Sequence, residues 1–267
     1  MSTKLKPDEY LDQETGRIMC SKCHTPRRLN LNLGGEPCCI PVQCACQQAA
    51  WEAREQMRKH QEFLDRVQRN RSLGMQDPSL FACTFQNAEG DNPTLVLARR
   101  YAEHWEEMLA KNMGLLFWGD VGTGKTYLAA CIINALLDQG VEARMTNLSH
   151  VLNDLSNYQA DKNAVLQELN RYDFLALDDF GMERTTEYSL EQIFNVVDGR
   201  CRSRRPLLVT TNLTVEELKS PRTIAQARIY DRILECCVPV QVKGRNRRRE
   251  KAREHLDVAR KLLGSTV

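Results

Sequence analysis

An α/β fold with a parallel, doubly wound sheet is what this chain predicts, and three apolar runs predict it. Gly114-Leu115-Leu116-Phe117-Trp118 reads as a strand buried on both faces, and a glycine-rich turn and a mostly apolar helix follow it. Tyr172 to Asp179 is a second apolar run, ending in two carboxylates, and Pro206 to Asn212 is a third, ending in the polar tip Thr210-Thr211-Asn212. In parallel α/β sheets ligands sit beyond the carboxyl ends of the strands, so the three polar tips are expected to converge on one ligand.

The first tip names the ligand class. Gly119, Asp120, Val121, Gly122, Thr123, Gly124, Lys125 and Thr126 fit the P-loop pattern G-x-x-x-x-G-K-[ST] between a strand and a helix. Glycines there let backbone N–H groups close around phosphate oxygens, Lys125 brings a point charge to the β and γ phosphates, and the Thr126 hydroxyl can ligate Mg²⁺. The helix from Tyr127 to Gln139, stopped by Gly140, aims its positive N-terminus at the same phosphates. At the second tip Asp178 is expected in the Mg²⁺ shell, and Asp179 is expected to orient or deprotonate the attacking water. Asn212, at the third, is placed to hydrogen-bond that water or the γ-phosphate. Read without the P-loop, the two acids could equally be a helix cap or turn, and Thr211-Asn212 a strand-to-loop turn.

The remaining elements alternate. Val141 to Met145 and Val238 to Val242 read as strands; a helix capped by Ser149 is expected to run to about Tyr158, another from Leu190 to Cys201 turns Ile193, Phe194, Val196 and Val197 inward, and Thr223 to Glu235 is helical in pattern.

At 267 residues and a net charge of +2, one α/β domain with a small appendage fits better than two large domains. No apolar run reaches membrane-spanning length and the polar N-terminus has no signal-peptide core, so a cytoplasmic chain without a membrane partner is expected. In that reducing compartment the eleven cysteines read as thiols or metal ligands rather than disulfides.

Four of them form paired knuckles, Cys20-Ser21-Lys22-Cys23 and Cys44-Ala45-Cys46, with 20 residues between. This spacing suits tetrahedral Zn²⁺ held by four thiolates, a structural site with no open position. The segment between is too short and polar to build its own core, so metal would supply the folding energy. Cys38, Cys39 and His24 compete as ligands, and free or redox-active thiols are the other reading. Gln47 to Asn70 contains no Pro or Gly and reads as a solvated helix, with Met57, Phe63, Leu64 and Val67 as a thin apolar stripe. Breakers at Gly74, Asp77 and Pro78 place a boundary, giving segments 1–47, 48–77 and 78–267.

Two groups of arginines remain. Arg228 and Arg232 lie one turn apart on their helix, so either could reach a neighbouring subunit's nucleotide, or simply pair with Asp231 or Glu235. Arg245, Arg247, Arg248, Arg249, Lys251 and Arg253 fall within nine positions. They could meet DNA phosphates or form a solvated helix with the interleaved Glu250 and Glu254. Aromatic residues are sparse, at 6%, so no base-stacking platform is evident; Phe81 and Phe85 read as packing the domain entrance or the adenine ring.

Taken together, the P-loop, Asp178-Asp179, Thr210-Thr211-Asn212, Arg228 and the Gly244-Arg245-Asn246-Arg247 ending resemble the AAA+ proteins of the DnaC, DnaI and IstB group, over roughly Leu80 to the C-terminus. The resemblance implies an AAA+ P-loop ATPase core with a reduced lid, using ATP and Mg²⁺. It implies Asp178 and Asp179 as the Walker B acids, Asn212 as sensor 1, Arg228 as an arginine finger with Arg232 as its rival, and Arg247 as sensor 2. The cysteine-rich N-terminus looks like that of the DnaI kind of helicase loader. That implies docking of the zinc segment on a replicative DnaB-type hexameric helicase, self-association through the ATPase domains, and ATP-driven placement of the helicase on single-stranded DNA. An IstB-like transposition helper, acting on DNA with a transposase, is the alternative, and a zinc-dependent adaptor whose ATPase only sets oligomeric state is a third.

Overall fold

The computed structural model describes residues 5–33, 36–75, 77–88, 92–156, 161–181 and 186–264. They fall into two compact units, Met1–Asp65 and Arg66–Val267.

In the first unit β1 (Glu9–Leu11) pairs with β2 (Ile18–Cys20) and β3 (Arg28–Leu33) with β4 (Glu36–Pro41), both antiparallel. These hairpins, which the sequence reading did not foresee, leave Leu11, Leu29, Leu31 and Ile40 exposed. What they bury instead is Cys20, Cys44 and Arg27. Helix α1 (Ala45–Gly74) begins at these cysteines and outruns the expected 47–70 at both ends, since nothing before Gly74 breaks it. Trp51, Met57 and Leu64 on it are exposed, and Phe63 and Val67 are half-buried.

The last turns of α1 belong to the second unit. Asn70 donates from Nδ2 to the carbonyls of Gly140 and Val141, at 3.2 Å each, and Arg71 pairs with Asp138. Gly74 passes so close to the Ala143 carbonyl that a Cβ there would collide with it. The chain then enters a parallel sheet of β5 (Gly114–Trp118), β6 (Ala143–Asn147), β7 (Phe174–Phe180), β8 (Leu207–Thr211) and β9 (Cys237–Gln241), in the order β6-β7-β8-β5-β9. Strand alternation divides the core. Leu115, Phe117, Phe174 and Ala176 face α2 (Pro93–Glu103), α3 (Trp105–Ala110) and α4 (Lys125–Asp138) through Ala98, Trp105, Ile132 and Leu136. Leu116, Leu175, Leu177 and Val209 face α5 (Leu148–Ser156), α7 (Glu187–Arg202) and α9 (Ile224–Cys236) through Leu155, Ile193, Val197 and Ile233. Helices α6 (Lys162–Arg171), α8 (Val215–Lys219) and α10 (Arg247–Leu263) complete the unit.

Two expectations are corrected. The cap of α5 is Asn147 rather than Ser149, its Oδ1 accepting the His150 N–H at 2.8 Å, and the helix ends at Ser156; Tyr158 lies outside the described residues. Cys201 and Cys236, expected as thiols, are joined in a disulfide, because the last turns of α7 and α9 converge to a Cα separation of 6.0 Å, within normal bridging range. The C-terminal basic cluster is helical from Arg247 onward, with the Lys251 side chain outside the described set. No helix among the described residues is long and apolar enough to cross a membrane.

Candidate functional site

Order in the sheet places the site. β5 lies between β8 and β9, so the turn after β5 opens beside the end of β8, and β7 borders β8 on its other side. Within the turn Gly122 holds φ 84°, a left-handed value, and a Cβ there would strike the Asn246 side chain. That closeness is used: Asn246 donates from Nδ2 to the Val121 carbonyl at 3.0 Å, and the Arg247 N–H donates to the Gly122 carbonyl at 3.1 Å, fastening the start of α10 to the loop.

Lys125 opens α4 and is buried. Its ammonium donates to the carbonyls of Gly119 and Asp120 and to Asn212 Oδ1, each at 2.8 Å. Burial pulls the ammonium below its ordinary pKa, against the carboxylates of Asp179, Asp178 and Asp120. Asp178, at the tip of β7, is pushed up by burial; hydrogen bonds from Thr210 and Thr126 and the charge of Lys125 oppose this, and its neighbour Asp179 adds to it. Asp179 is exposed, with φ 55°. A cavity of about 280 Å³ is lined by Val121, Gly122, Gly124, Lys125, Thr126, Asp179, Asn212 and Arg247 from the expected set. Leu80, Cys83, Tyr127 and Arg248 line it as well, and these the sequence reading had not placed there. The segment carrying Leu80 and Cys83 is tied to α4: Asn134 donates to both their carbonyls at 2.9 and 2.7 Å, and the Tyr127 hydroxyl donates to Thr84 O at 3.1 Å. Phe85 is in the core under the Arg99 guanidinium, and Phe81 is partly exposed, so neither lines this cavity.

Arg228 and Arg232 stand apart from the cavity on α9 and differ from each other. Arg232 pairs with Asp198 at 3.0 Å and with Glu235 at 2.7 Å. Exposed Arg228 lies 4.4 Å over the Phe194 ring, with no carboxylate in ion-pair range among the described residues.

A second constellation sits in the first unit. The sulfurs of Cys20, Cys23, Cys44 and Cys46 all lie within 4.8 Å of one another, with Cys20–Cys46 at 3.6 Å and Cys44–Cys46 at 3.3 Å. A tetrahedron with Zn–S bonds of about 2.3 Å has edges of roughly 3.8 Å, so the donor set fits Zn²⁺. The Cys23 thiol is held down to about 5, first by its hydrogen bond with the Thr25 hydroxyl, 3.1 Å away, and then by the Cys46 backbone. Buried Arg27, which sequence reasoning missed, pairs with Asp8 at 2.6 Å and reaches Cys44 Sγ at 3.6 Å, where a guanidinium offsets the negative charge of four thiolates. The rival ligands point elsewhere: Cys38 and Cys39 are exposed, and the His24 ring is hydrogen-bonded to the Tyr10 hydroxyl at 2.9 Å.

Comparison with known proteins fits this geometry. Residues 43–255 match the model of the IstB-like ATP binding protein family. The chain belongs to that family. Among curated relatives of this IstB-like chain, the replicative helicase loader DnaC of Escherichia coli K12 is 30% identical over 159 residues, 57% of this chain and 62% of DnaC. The replicative helicase loader DnaI of Bacillus subtilis is 26% identical over 184 residues, 63% of this chain and 59% of DnaI. The matched segment thus spans less than two thirds of those relatives. Crystal structures of DnaI and of the DnaC helicase loader superpose with TM-scores of 0.54 and 0.53 at 24% and 19% identity, covering 66% and 62% of this chain and 96% and 100% of theirs. The fold is therefore that of an AAA+ P-loop ATPase domain, a family that implies ATP and Mg²⁺. The residues present fit both: a left-handed glycine loop with a buried lysine for phosphates, and a carboxylate and a hydroxyl, hard oxygen ligands, for the metal.

Proposed function

We propose that this chain is an ATP-dependent loader of a replicative DnaB-type hexameric helicase onto single-stranded DNA. The observation that carries the reading is an AAA+ core akin to the DnaC and DnaI loaders, preceded by a unit whose four cysteine sulfurs gather around one point. In this reading residues 1–47 hold Zn²⁺ on Cys20, Cys23, Cys44 and Cys46 and dock on the helicase, residues 48–77 link, and residues 78–267 bind and hydrolyse ATP. Lys125 and the loop amides bind the phosphates, Thr126 and Asp178 hold Mg²⁺, Asp179 orients the attacking water, and Asn212 and Arg247 contact the γ-phosphate end. Mg²⁺ draws charge from the phosphate oxygens when bound. Arg228 reaches the neighbouring subunit's nucleotide, since Arg232 is committed to Asp198 and Glu235. ATP binding orders self-association, and hydrolysis releases it.

Size-exclusion chromatography with light scattering of the chain mixed with its cognate DnaB-type helicase, Mg²⁺ and a non-hydrolysable ATP analogue tests this. A stable complex lost on zinc chelation is expected; no complex under any condition refutes the loader. The breadth of the IstB-like match, residues 43–255, keeps one alternative: a transposition helper acting on duplex DNA with a transposase. Capture of a transposase instead of a helicase, and preference for duplex over single-stranded DNA, would establish it.

A further inference from the structure

The two acids at the end of β7 are held by a residue with no assigned role. The β7–β8 register runs from Leu175 opposite Leu207 to Leu177 opposite Val209, then resumes with Phe180 opposite Thr211. Asp178 and Asp179 thus face a single residue, Thr210, as in a β-bulge, where the extra residue loses its ladder partner. Thr210 fills that gap with its side chain. Its hydroxyl accepts the Asp179 N–H at 2.9 Å and lies 2.6 Å from Asp178 Oδ1. Because an amide N–H can only donate, the hydroxyl's single proton is left for Asp178, so the direction of both bonds is fixed. Thr210 is itself fully buried, with no water to compete.

We propose that Thr210 is a positioning residue for ATP hydrolysis: one buried hydroxyl sets the Asp178 carboxylate for the metal and holds Asp179 in its left-handed conformation for the water. The proposal deepens the ATPase reading and rests on it. Asp179 at φ 55° is in the left-handed region, which aspartate enters more readily than most side chains but still at a cost relative to extended backbone, and the Thr210 bond to its N–H is a restraint that holds it there. Asp178 needs a second restraint besides the Thr126 hydroxyl if its carboxylate is not to swing. A valine at 210 would keep the shape and the β-branched packing but neither bond, and a serine would keep both bonds.

The test uses Thr210→Val and Thr210→Ser in the full chain. Three quantities are measured: amide exchange at Asp179, the gain in ATP-analogue affinity on adding Mg²⁺, and kcat and KM for ATP. Removing an outer-shell partner of a metal ligand costs roughly 10- to 100-fold in metal affinity or activity. Thr210→Val is expected to speed Asp179 exchange, to lose most of the Mg²⁺-dependent gain and to lower kcat by that factor, while Mg²⁺-free nucleotide affinity holds. Thr210→Ser should stay close to wild type in all three. If Thr210→Val only lowers the melting temperature, or if serine and valine behave alike, the hydroxyl is structural and the proposal falls. If the wild-type chain turns over no ATP, the ATPase reading fails; exchange at Asp179 and the Mg²⁺-dependent affinity then still decide whether Thr210 positions the acids.

Discussion

Arg200 is the largest fully buried side chain among the described residues, and replacing it with methionine isolates what it holds. From α7 its guanidinium donates to Tyr172 O at 2.6 Å, Asp173 O at 2.9 Å and Pro206 O at 3.0 Å, with longer contacts to Leu169 O and Asn170 O. These carbonyls end α6 and lead into β7 and β8, so one side chain gathers the entry ends of two central strands. Methionine fills similar volume but satisfies none of them. Each buried acceptor left unpaired costs about 1–3 kcal/mol, and the three short bonds set the scale. Relief of the buried charge, whose pKa burial pulls down to about 9, offsets part of this. We expect a net loss of about 3 kcal/mol, which for a domain of this size lowers Tm by roughly 6–12 °C. Thermal unfolding by circular dichroism, with urea midpoints as a check, measures it. Arg200→Lys should fall between, since an ammonium keeps the charge but cannot fork across three carbonyls. ATP-analogue affinity below the transition should be unchanged, because the site lies at the opposite ends of the same strands. A methionine variant melting within about 2 °C of wild type would refute the reasoning: rehydration of the carbonyls would then cost nothing measurable.

Three further outcomes follow from other residues. Arg228→Ala should abolish most ATP turnover in assembled protein, by about 10³-fold, with turnover regained on mixing with Lys125→Ala, which lacks the phosphate lysine but keeps its finger; Arg232→Ala should instead lower Tm, leaving Asp198 with Arg202 alone, and spare turnover. Chelation of zinc, or Cys46→Ser, should make residues 5–65 protease-sensitive while the P-loop unit keeps its melting transition, as monitored by limited proteolysis and calorimetry. Gly122→Ala should weaken nucleotide binding by isothermal titration calorimetry about tenfold or more, because φ 84° and the approach of Asn246 both exclude a Cβ.

What the sequence made legible follows from how buried strands are written. β5, β7 and β8 read correctly to within two residues because a strand covered on both faces is a continuous apolar run, and its tip is where polarity returns; β9, an edge strand with Val238 exposed, was as close on its alternating valines alone. The P-loop, the paired acids and Asn212 were visible for the same reason. The N-terminal hairpins were not, since their apolar residues are few and exposed and their order is organised around cysteines. Arg27, Thr210 and the Cys201–Cys236 bridge left no local signal either: each acts on a residue 17 to 35 positions away, a distance no periodicity encodes. Ser149 misled because a serine one residue inside a helix looks like a cap when Asn147, two positions earlier, is the side chain that bonds.

Strand order explains why β8, which contributes no phosphate-binding loop and no carboxylate, nevertheless ties the site together. It lies between β7 and β5, so its residues are the ones able to touch both the acids and the P-loop lysine. Thr210 and Asn212 are two positions apart, the spacing that returns side chains to the same side of an extended chain. Thr210 reaches sideways to Asp178 and Asp179 on β7. Asn212 reaches the other way, accepting from Lys125 at the start of α4 at 2.8 Å. Lys125 and Asn212 are 87 positions apart in the chain, and Thr210 is 31 and 32 from the acids, yet one short strand and the residue after it bring all five side by side in two hydrogen-bonded sets. A displacement of β8 would therefore move the acids and the lysine's partner together, so the geometry proposed for hydrolysis depends on a strand whose own sequence, Leu-Leu-Val-Thr-Thr, carries no charge.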